Sequence, residues 1–162
     1  MEEVTTASRK DDHIRINIEE DVQFKSVSNG LDNLYFNHNA LPELDLDDID
    51  TSITLLGKKL SMPLLISCMT GGTPKAGHIN RILAEAAHHT GIGLGLGSMR
   101  VALEDSDSVD SFKLRHIAPD ILLFANIGAV QLNYGVTVDD CRKLVDLSGA
   151  DAIVLHFNPL QE

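Results

Sequence analysis

The sequence is poor in aromatic residues, cysteines and cations, and each shortage narrows what the chain can be. Its 162 residues include no Trp, two Tyr and five Phe, so a core must be built mainly from Ile, Leu, Val and Ala. The formal net charge of −11 argues against a nucleic-acid or acidic-membrane partner, because phosphates would be repelled over most of the surface. An anionic small molecule could bind only in a locally basic pocket.

Cysteine usage and hydropathy point to the cytoplasm. The two cysteines, Cys68 and Cys141, match no metal-ligand spacing, so we expect reduced, packed thiols. No apolar run approaches the roughly 18 residues that a membrane span needs. The polar, acidic N-terminus does not resemble a signal peptide. We therefore expect a soluble cytoplasmic protein without a membrane partner.

The chain divides at about residue 60. Residues 1–60 are polar and are predicted to form an irregular extension, whereas residues 61–162 alternate between strand and helix patterns. Short apolar runs predict buried strands at residues 63–67, 92–96, 121–125 and 152–155. The glycines that alternate through the second run indicate that something approaches its backbone closely.

Three helices are predicted between these strands. The first begins with Thr73 as N-cap and Pro74 in the first turn, and it ends at Gly91. The second covers about residues 106–117, and the third runs from Thr137 to Gly149. The expected inward residues are Ile79, Ile82, Leu83, Ala86 and Ala87 in the first helix, and Val138, Cys141, Leu144 and Val145 in the third.

Strands and helices that alternate at a spacing of about 30 residues indicate parallel βα units. An open doubly wound sheet would carry a glycine fingerprint after its first strand, and Gly71-Gly72 lacks that spacing. The pattern therefore favours the first four strands of a TIM (β/α)8 barrel. Such a barrel needs about 250 residues, so the chain is expected to be a half-barrel fragment, or two copies must pair to close the sheet.

Polar side chains follow every predicted strand. Because barrel enzymes carry their active sites at the carboxyl ends of the strands, these side chains are expected to meet at one mouth. They are Ser67, Cys68, Met69 and Thr70 after the first strand, Ser98, Met99 and Arg100 after the second, Asn126 after the third, and His156, Asn158, Gln161 and Glu162 after the fourth.

Two further segments each have two interpretations. The Gly71-Gly72 loop could present backbone N–H groups to a flavin or a phosphate, or it could be a tight turn that needs glycine at positive φ. Arg9, Lys10 and Arg15 could clamp an anion, or they could belong to a solvated, mixed-charge tail.

Six motifs together resemble type 2 isopentenyl diphosphate isomerase, in order and in spacing from about Arg9 to the last residue. They are Arg9-Lys10-Asp11-Asp12-His13-Ile14-Arg15, Phe36-Asn37-His38-Asn39-Ala40-Leu41-Pro42-Glu43, Ser67-Cys68-Met69-Thr70-Gly71-Gly72, Gly97-Ser98-Met99-Arg100, Asn126-Ile127-Gly128-Ala129 and His156-Phe157-Asn158-Pro159-Leu160-Gln161-Glu162. The resemblance implies the N-terminal half of an FMN-dependent TIM-barrel enzyme. It also implies reduced FMN, Mg²⁺, NADPH as reductant, a small diphosphate substrate and a homo-oligomer of four or more full-length chains.

The resemblance also implies roles for individual residues. Gln161 would be the catalytic residue over the reacting carbons, and Glu162 would hold Mg²⁺. The substrate would be bound by Arg9, Lys10, Ser98, Met99, Arg100, His156, Asn158 and Gln161. FMN would be contacted by Cys68, Met69, Thr70, Ser98 and Asn126.

The implied activity interconverts isopentenyl and dimethylallyl diphosphate in isoprenoid biosynthesis, and we expect it only of the full-length protein. Loops after strands seven and eight usually hold the phosphate in such barrels, and this sequence has no counterpart for them. Two alternatives stay open. One is another FMN barrel that acts as a 2-hydroxy-acid dehydrogenase or oxidase, and the other is an inactive truncated half-barrel.

Overall fold

The first 60 residues contain regular structure that the sequence did not predict. The computed structural model describes residues 6–158, and it describes side chains from residue 12 onward. Helix α1 spans Thr6–Glu19, and strands β1 (Ile53–Leu55) and β2 (Lys58–Leu60) pair as an antiparallel hairpin. The prediction of a wholly irregular extension over residues 1–60 is therefore wrong. The remainder of this region holds two short 3₁₀ helices, Leu31–Asn33 and Leu46–Asp48.

A parallel sheet of four strands forms the centre of the chain. Its strands lie side by side in sequence order: β3 (Leu65–Ile66), β4 (Gly93–Gly95), β5 (Leu123–Gly128) and β6 (Ala152–His156). The order shows none of the reversal that marks the switch point of a doubly wound sheet. The chain is a mixed α/β protein with a parallel sheet, as the sequence predicted.

Helix α2 connects β3 to β4 and spans Pro74–Thr90, as its capping residues predicted. Thr73 accepts a hydrogen bond from the Ala76 N–H at 3.2 Å, and Gly91 ends the helix with φ 67°. The predicted inward stripe is only partly right, because Ile82 is 52% exposed and Ala86 is also exposed. The buried positions are Ala76, Gly77, Asn80, Ala84 and Ala87. These mostly small residues let α2 lie close to its neighbours.

The segment after β4 does not form the predicted helix over residues 106–117. It forms a short helix α3 (Val101–Glu104) and then a 3₁₀ helix (Ser106–Phe112). The Asp105 carboxylate accepts from the Asp107 N–H at 3.0 Å and caps the 3₁₀ helix. This side-chain bond competes with a continuous α-helix.

Helix α4 spans Val138–Ser148 and is bounded as predicted by Thr137 and Gly149. Thr137 and Asp140 form a capping box, in which each side chain accepts from the other residue's backbone N–H. The Thr137 hydroxyl and N–H hold the pKa of the Asp140 carboxyl below its usual range. Leu144 is fully buried as expected, whereas Val138 is 64% exposed.

The hydrophobic core lies between the sheet and its helices. Leu123, Ala125 and Ile127 on β5 are fully buried against Leu144 and Phe112. Since side chains alternate along a strand, the residues between them, such as Asn126, lie on the other face of the sheet. Within residues 6–158, no helix combines the length and the apolar character needed to cross a bilayer.

Candidate active site

A cleft of about 900 Å³ lies at the carboxyl ends of the strands, where α1 and α2 also line it. The structure brings residues from all four strand ends into this cleft, which is the convergence that the sequence suggested. These lining residues are Cys68, Met69 and Thr70 after β3, Ser98 and Arg100 after β4, Asn126 on β5, and His156 and Asn158 at the end of β6.

Met99 does not present its side chain to the cleft. That side chain is fully buried in the hydrophobic core, and the Met99 N–H donates to the Asn126 carbonyl at 2.8 Å. The Met99 side chain is therefore not exposed to the cleft, and a contact between Met99 and the substrate stays a prediction. Its neighbours Ser98 and Arg100 line the cleft instead.

Four predicted site residues are only partly covered by the structure, or not at all. Gln161 and Glu162 lie outside the described residues. Arg9 and Lys10 belong to helix α1, and their side chains lie outside the description. Within the described residues, no group of three His, Cys, Asp or Glu side chains is arranged to hold a metal ion.

Asn126 connects residues from the two flanking parts of the sheet. Its Oδ1 lies 2.8 Å from Nδ1 of His156 on β6. Its amide also hydrogen-bonds the thiol of Cys68, which follows β3. Burial raises the pKa of Cys68 more than this hydrogen bond lowers it. The thiol is therefore kept in its neutral form beside the cleft.

Arg100 brings positive charge into the cleft of an otherwise acidic chain. Its Nε lies 3.4 Å from Oε1 of Glu104, one turn further along α3, and its side chain is 25% exposed. Partial burial strengthens the field of the guanidinium on any anion that enters. The cleft can therefore attract a phosphate despite the net charge of the whole chain.

The Gly71-Gly72 loop is a tight turn that is filled by the protein's own side chains. Gly72 has φ 90°, and its N–H donates to the Ser111 hydroxyl at 2.9 Å. A Cβ at Gly71 would collide with the Phe112 ring. The turn interpretation is supported, because this N–H is already used within the fold.

The alternating glycines of β4 make room for β3 and its following loop. A Cβ at Gly95 would collide with the Cys68 sulfur, and one at Gly97 would lie 2.6 Å from the Thr70 backbone nitrogen. The Gly97 N–H also donates to the Thr70 carbonyl at 2.9 Å. The close approach that the sequence indicated is therefore made by the chain itself.

Sequence reasoning missed residues that helices supply. His13 and Asn17 of α1 line the cleft, and only the recognition of a helix over residues 6–19 could have placed them there. Asn80 of α2 is buried and donates to the carbonyls of Thr70 and Ser111 at 3.3 and 3.1 Å. The sequence could have indicated this role, because a polar Asn lies on the inward face of an amphipathic helix. Asn80 uses its amide to bind the two neighbouring segments.

Comparison with known proteins places the chain in a family. Residues 5–114 match the family model of FMN-dependent dehydrogenases. The chain belongs to the FMN-dependent dehydrogenase family. The similar proteins described next are all named for a single activity.

Isopentenyl-diphosphate delta-isomerases are similar to almost the whole chain. The protein of Nostoc sp. is 57% identical over 97% of this chain, that of Rickettsia canadensis 56% over 95%, and that of Synechocystis sp. 54% over 98%. In each case the match covers 45% of the relative. The chain thus spans about half the length of the curated relatives it matches.

The residues of the cleft fit the flavin that the family uses. The volume of the cleft is within the range of about 300–1,000 Å³ that is usual for cofactor sites. Leu83, Val101 and Val154 supply apolar walls, while Thr70 and Ser98 supply hydroxyl groups. A flat apolar ring with a polar edge needs this combination of surfaces. The cleft is lined by all the residues expected to contact FMN, which are Cys68, Met69, Thr70, Ser98 and Asn126.

Proposed function

We propose that this chain is the N-terminal half of an enzyme that interconverts isopentenyl diphosphate and dimethylallyl diphosphate, using reduced FMN and Mg²⁺. One observation carries the proposal: four strand ends and α1 converge on one cleft in a chain whose relatives bear that activity in their names. Cys68, Ser98, Asn126 and His156 are its contributions from the four strands.

We propose that the complete fold is a TIM barrel of which this chain supplies the first four strands. The sheet runs in sequence order and all its strands are parallel. Strands β3 and β6 stand at its two edges, and edge strands of this length leave backbone groups without partners. The relatives have about twice the length of this chain, which is sufficient for four more βα units.

The cleft residues divide between the two ligands. Cys68, Met69, Thr70, Ser98 and Asn126 would contact FMN. The substrate diphosphate would be held by cations, namely Arg100 in the cleft and Arg9 and Lys10 from α1. His156 and Asn158 would bind the substrate from β6, and Gln161 would orient it.

Double-bond migration needs a proton added at one carbon and removed at another, with positive charge between them. Reduced FMN, when bound, would supply an electron-rich ring that stabilises this charge or relays the proton. Gln161 has no pKa suited to acid catalysis, so it would act as an orienting residue. The neutral thiol of Cys68 adds no negative charge beside the reacting carbons.

Glu162 would hold Mg²⁺ together with the diphosphate oxygens, since one carboxylate plus phosphates is a common magnesium arrangement. We expect the Glu162→Gln variant to need far more Mg²⁺ for half-maximal rate. An unchanged Mg²⁺ dependence would remove the metal-binding role of Glu162. NADPH would serve only to reduce FMN, so dithionite should replace it.

The direct test supplies the full-length form with reduced FMN, Mg²⁺ and isopentenyl diphosphate. We expect dimethylallyl diphosphate to form, and its absence would refute the proposal. The 162-residue chain alone should bind FMN weakly and show no turnover. A yellow protein with stoichiometric flavin would show instead that two half-barrels assemble a complete site.

A second candidate rests on the family match, which is named for dehydrogenases. A flavin barrel that oxidises 2-hydroxy acids would reduce FMN on addition of lactate or glycolate. We expect no bleaching of the flavin absorbance by these acids. Bleaching together with a lack of isomerase turnover would favour the dehydrogenase.

We also propose that the full-length protein is a cytoplasmic homo-oligomer. Phe24, Tyr35 and Phe36 are each more than 85% exposed, and large apolar side chains in such numbers favour an interaction surface. Neither Cys68 nor Cys141 forms a disulfide, which suits a reducing compartment. Light scattering of the full-length protein would measure its oligomeric state.

A further inference from the structure

Asn126 is the only polar side chain of β5, and it is almost entirely enclosed. It is 2% exposed, although it lies at the cleft. A buried amide must satisfy its hydrogen bonds within the protein. Asn126 does so with side chains from both directions, the His156 ring and the Cys68 sulfur. This burial lets the amide hold its neighbours in addition to the FMN contact proposed for it.

The contact with His156 indicates how the amide is oriented. Its Oδ1 lies 2.8 Å from His156 Nδ1, and an amide oxygen can only accept hydrogen bonds. His156 must therefore carry a proton on Nδ1. The amide nitrogen is then directed to the Cys68 sulfur, which accepts weakly. In a neutral ring, Nε2 is consequently the acceptor nitrogen, because the tautomer is set by the bond that the other nitrogen makes.

We propose that Asn126, besides the FMN contact proposed for it, is a positioning residue for the reaction, which holds the His156 ring in the Nδ1–H tautomer at the wall of the cleft. The inference rests on the proposed function and narrows the role of His156 within it. The hydrogen bond to Asn126 also fixes the plane of the His156 ring before ligands bind. Such pre-orientation lowers the entropic part of the barrier.

The opposite arrangement is chemically available, which makes the inference testable. With the amide turned over, its nitrogen would donate to Nδ1, and His156 would carry its proton on Nε2. The Cys68 thiol would then donate to Oδ1. The two arrangements differ in which imidazole nitrogen is protonated, and ¹⁵N chemical shifts measure that directly.

The first experiment records ¹⁵N shifts of imidazole-labelled full-length protein with FMN bound, using His156→Gln to assign the signal. We expect the shifts of an Nδ1–H tautomer for His156. An Nε2–H tautomer would overturn the inference in the wild-type protein, without any variant of Asn126. The measurement needs no substrate, so it does not depend on whether the protein is an isomerase.

The second experiment compares variants of Asn126. Asn126→Leu removes the acceptor, and we expect kcat to fall by about 100-fold, as for a misplaced catalytic group, with a smaller change in KM. Asn126→Asp keeps an acceptor and should recover much of kcat. Its carboxylate should also move the pH profile of kcat toward higher pH, because a new negative charge in the cleft favours protonated groups beside it. The other titratable or charged side chains at the described cleft are His13, Cys68 and Arg100, and they are unchanged in both variants.

Flavin absorbance and urea midpoint report whether each variant is folded. Wild-type kcat in a folded Asn126→Leu protein would overturn the inference while leaving the isomerase proposal intact. An absence of isomerase activity in the wild-type protein would refute the proposed function, and the ¹⁵N result would still decide the orientation of His156. Equal losses of kcat in Asn126→Leu and Asn126→Asp, without a shift in pH profile, would also contradict the positioning role.

Discussion

The Nη2 atom of Arg115 lies 2.7 Å from Oδ2 of Asp151, at the end of the sheet opposite the cleft. Nε of Arg115 donates to the Gly149 carbonyl at 2.6 Å, and Nη1 donates to the Ile121 carbonyl at 2.7 Å. The same Asp151 oxygen accepts from the Leu123 N–H at 2.9 Å. These bonds connect the start of β5 to the start of β6. Arg115 therefore stabilises the sheet at the end that lies away from the cleft.

We predict that Arg115→Met lowers the free energy of unfolding of the full-length form by about 2–3 kcal/mol, as for hydrogen bonds to charged groups. The variant leaves carbonyls and a largely buried carboxylate with fewer partners. Lys113→Met is the matched control, because the ion pair of Lys113 with Asp110 is exposed at 2.8 Å and should contribute about 0–1 kcal/mol. Urea midpoints measure the loss of stability in both variants. Equal losses in Arg115→Met and Lys113→Met would contradict the structural role of Arg115.

Gly97→Ala should separate β4 from the loop that follows β3. Its Cβ would collide with the Thr70 backbone, which cannot rotate away, so overpacking should cost about 1–3 kcal/mol and weaken FMN binding. Gly93→Ala is the comparison, since its Cβ would lie 2.9 Å from Cδ1 of Leu65, the tip of a half-exposed side chain. Flavin titrations and urea midpoints should therefore rank Gly97→Ala as the worse variant.

The half-buried thiol of Cys68 should react slowly with alkylating reagents. Burial raises the pKa of Cys68, and only the thiolate is nucleophilic. In a Cys141→Ser background, the iodoacetamide rate should reach half its maximum at a higher pH than free cysteine does. A midpoint at or below that of free cysteine would contradict the burial effect.

The same pKa shift has a consequence for stability. A group whose pKa is raised by folding stabilises the fold below its unfolded pKa, and this stabilisation is lost as pH rises through the folded pKa. The Cys68→Ala protein should therefore lose less stability than the wild type between neutral and strongly alkaline pH. Urea midpoints of both proteins as a function of pH give the comparison. If the two curves are parallel, Cys68 does not contribute to the loss of stability at alkaline pH.

Arg100 should matter for binding the proposed diphosphate substrate. Arg100→Ala removes a largely buried cation from the cleft, and a loss on the order of 2 kcal/mol would raise KM roughly 30-fold. Glu104→Gln keeps Arg100 but removes its 3.4 Å partner, and an exposed i, i+4 pair contributes only a few tenths of a kcal/mol. Steady-state kinetics should show a change of less than about twofold in KM for Glu104→Gln.

The elements that the sequence predicted well are those with local end signals. Thr73 and Gly91 bound α2, and Thr137 and Gly149 bound α4, because capping depends only on residues next to the helix ends. The strand ends of the site were also predictable, since parallel strands send their carboxyl ends to one edge.

The elements that it predicted poorly depend on tertiary contacts. The buried Phe112 fits against Gly71, and this packing accompanies a 3₁₀ segment where the sequence pattern suggested an α-helix. Helix α1 is polar and has no apolar stripe of the expected period, yet it packs against α2. In the turn between β1 and β2, Leu56 adopts φ 50° before Gly57. A left-handed conformation is rare for leucine, so the sequence did not predict it.

The glycine alternation of β4 limits how the cleft can be altered by mutation. This strand contributes backbone but no side chain at Gly93 and Gly95, and the space above it is filled by Leu65 and Cys68. A substitution in β4 would therefore displace its neighbour before it could add a contact of its own. Substitutions that reshape the cleft should accumulate on β3, β5 and β6, and β4 should evolve most slowly of the four strands.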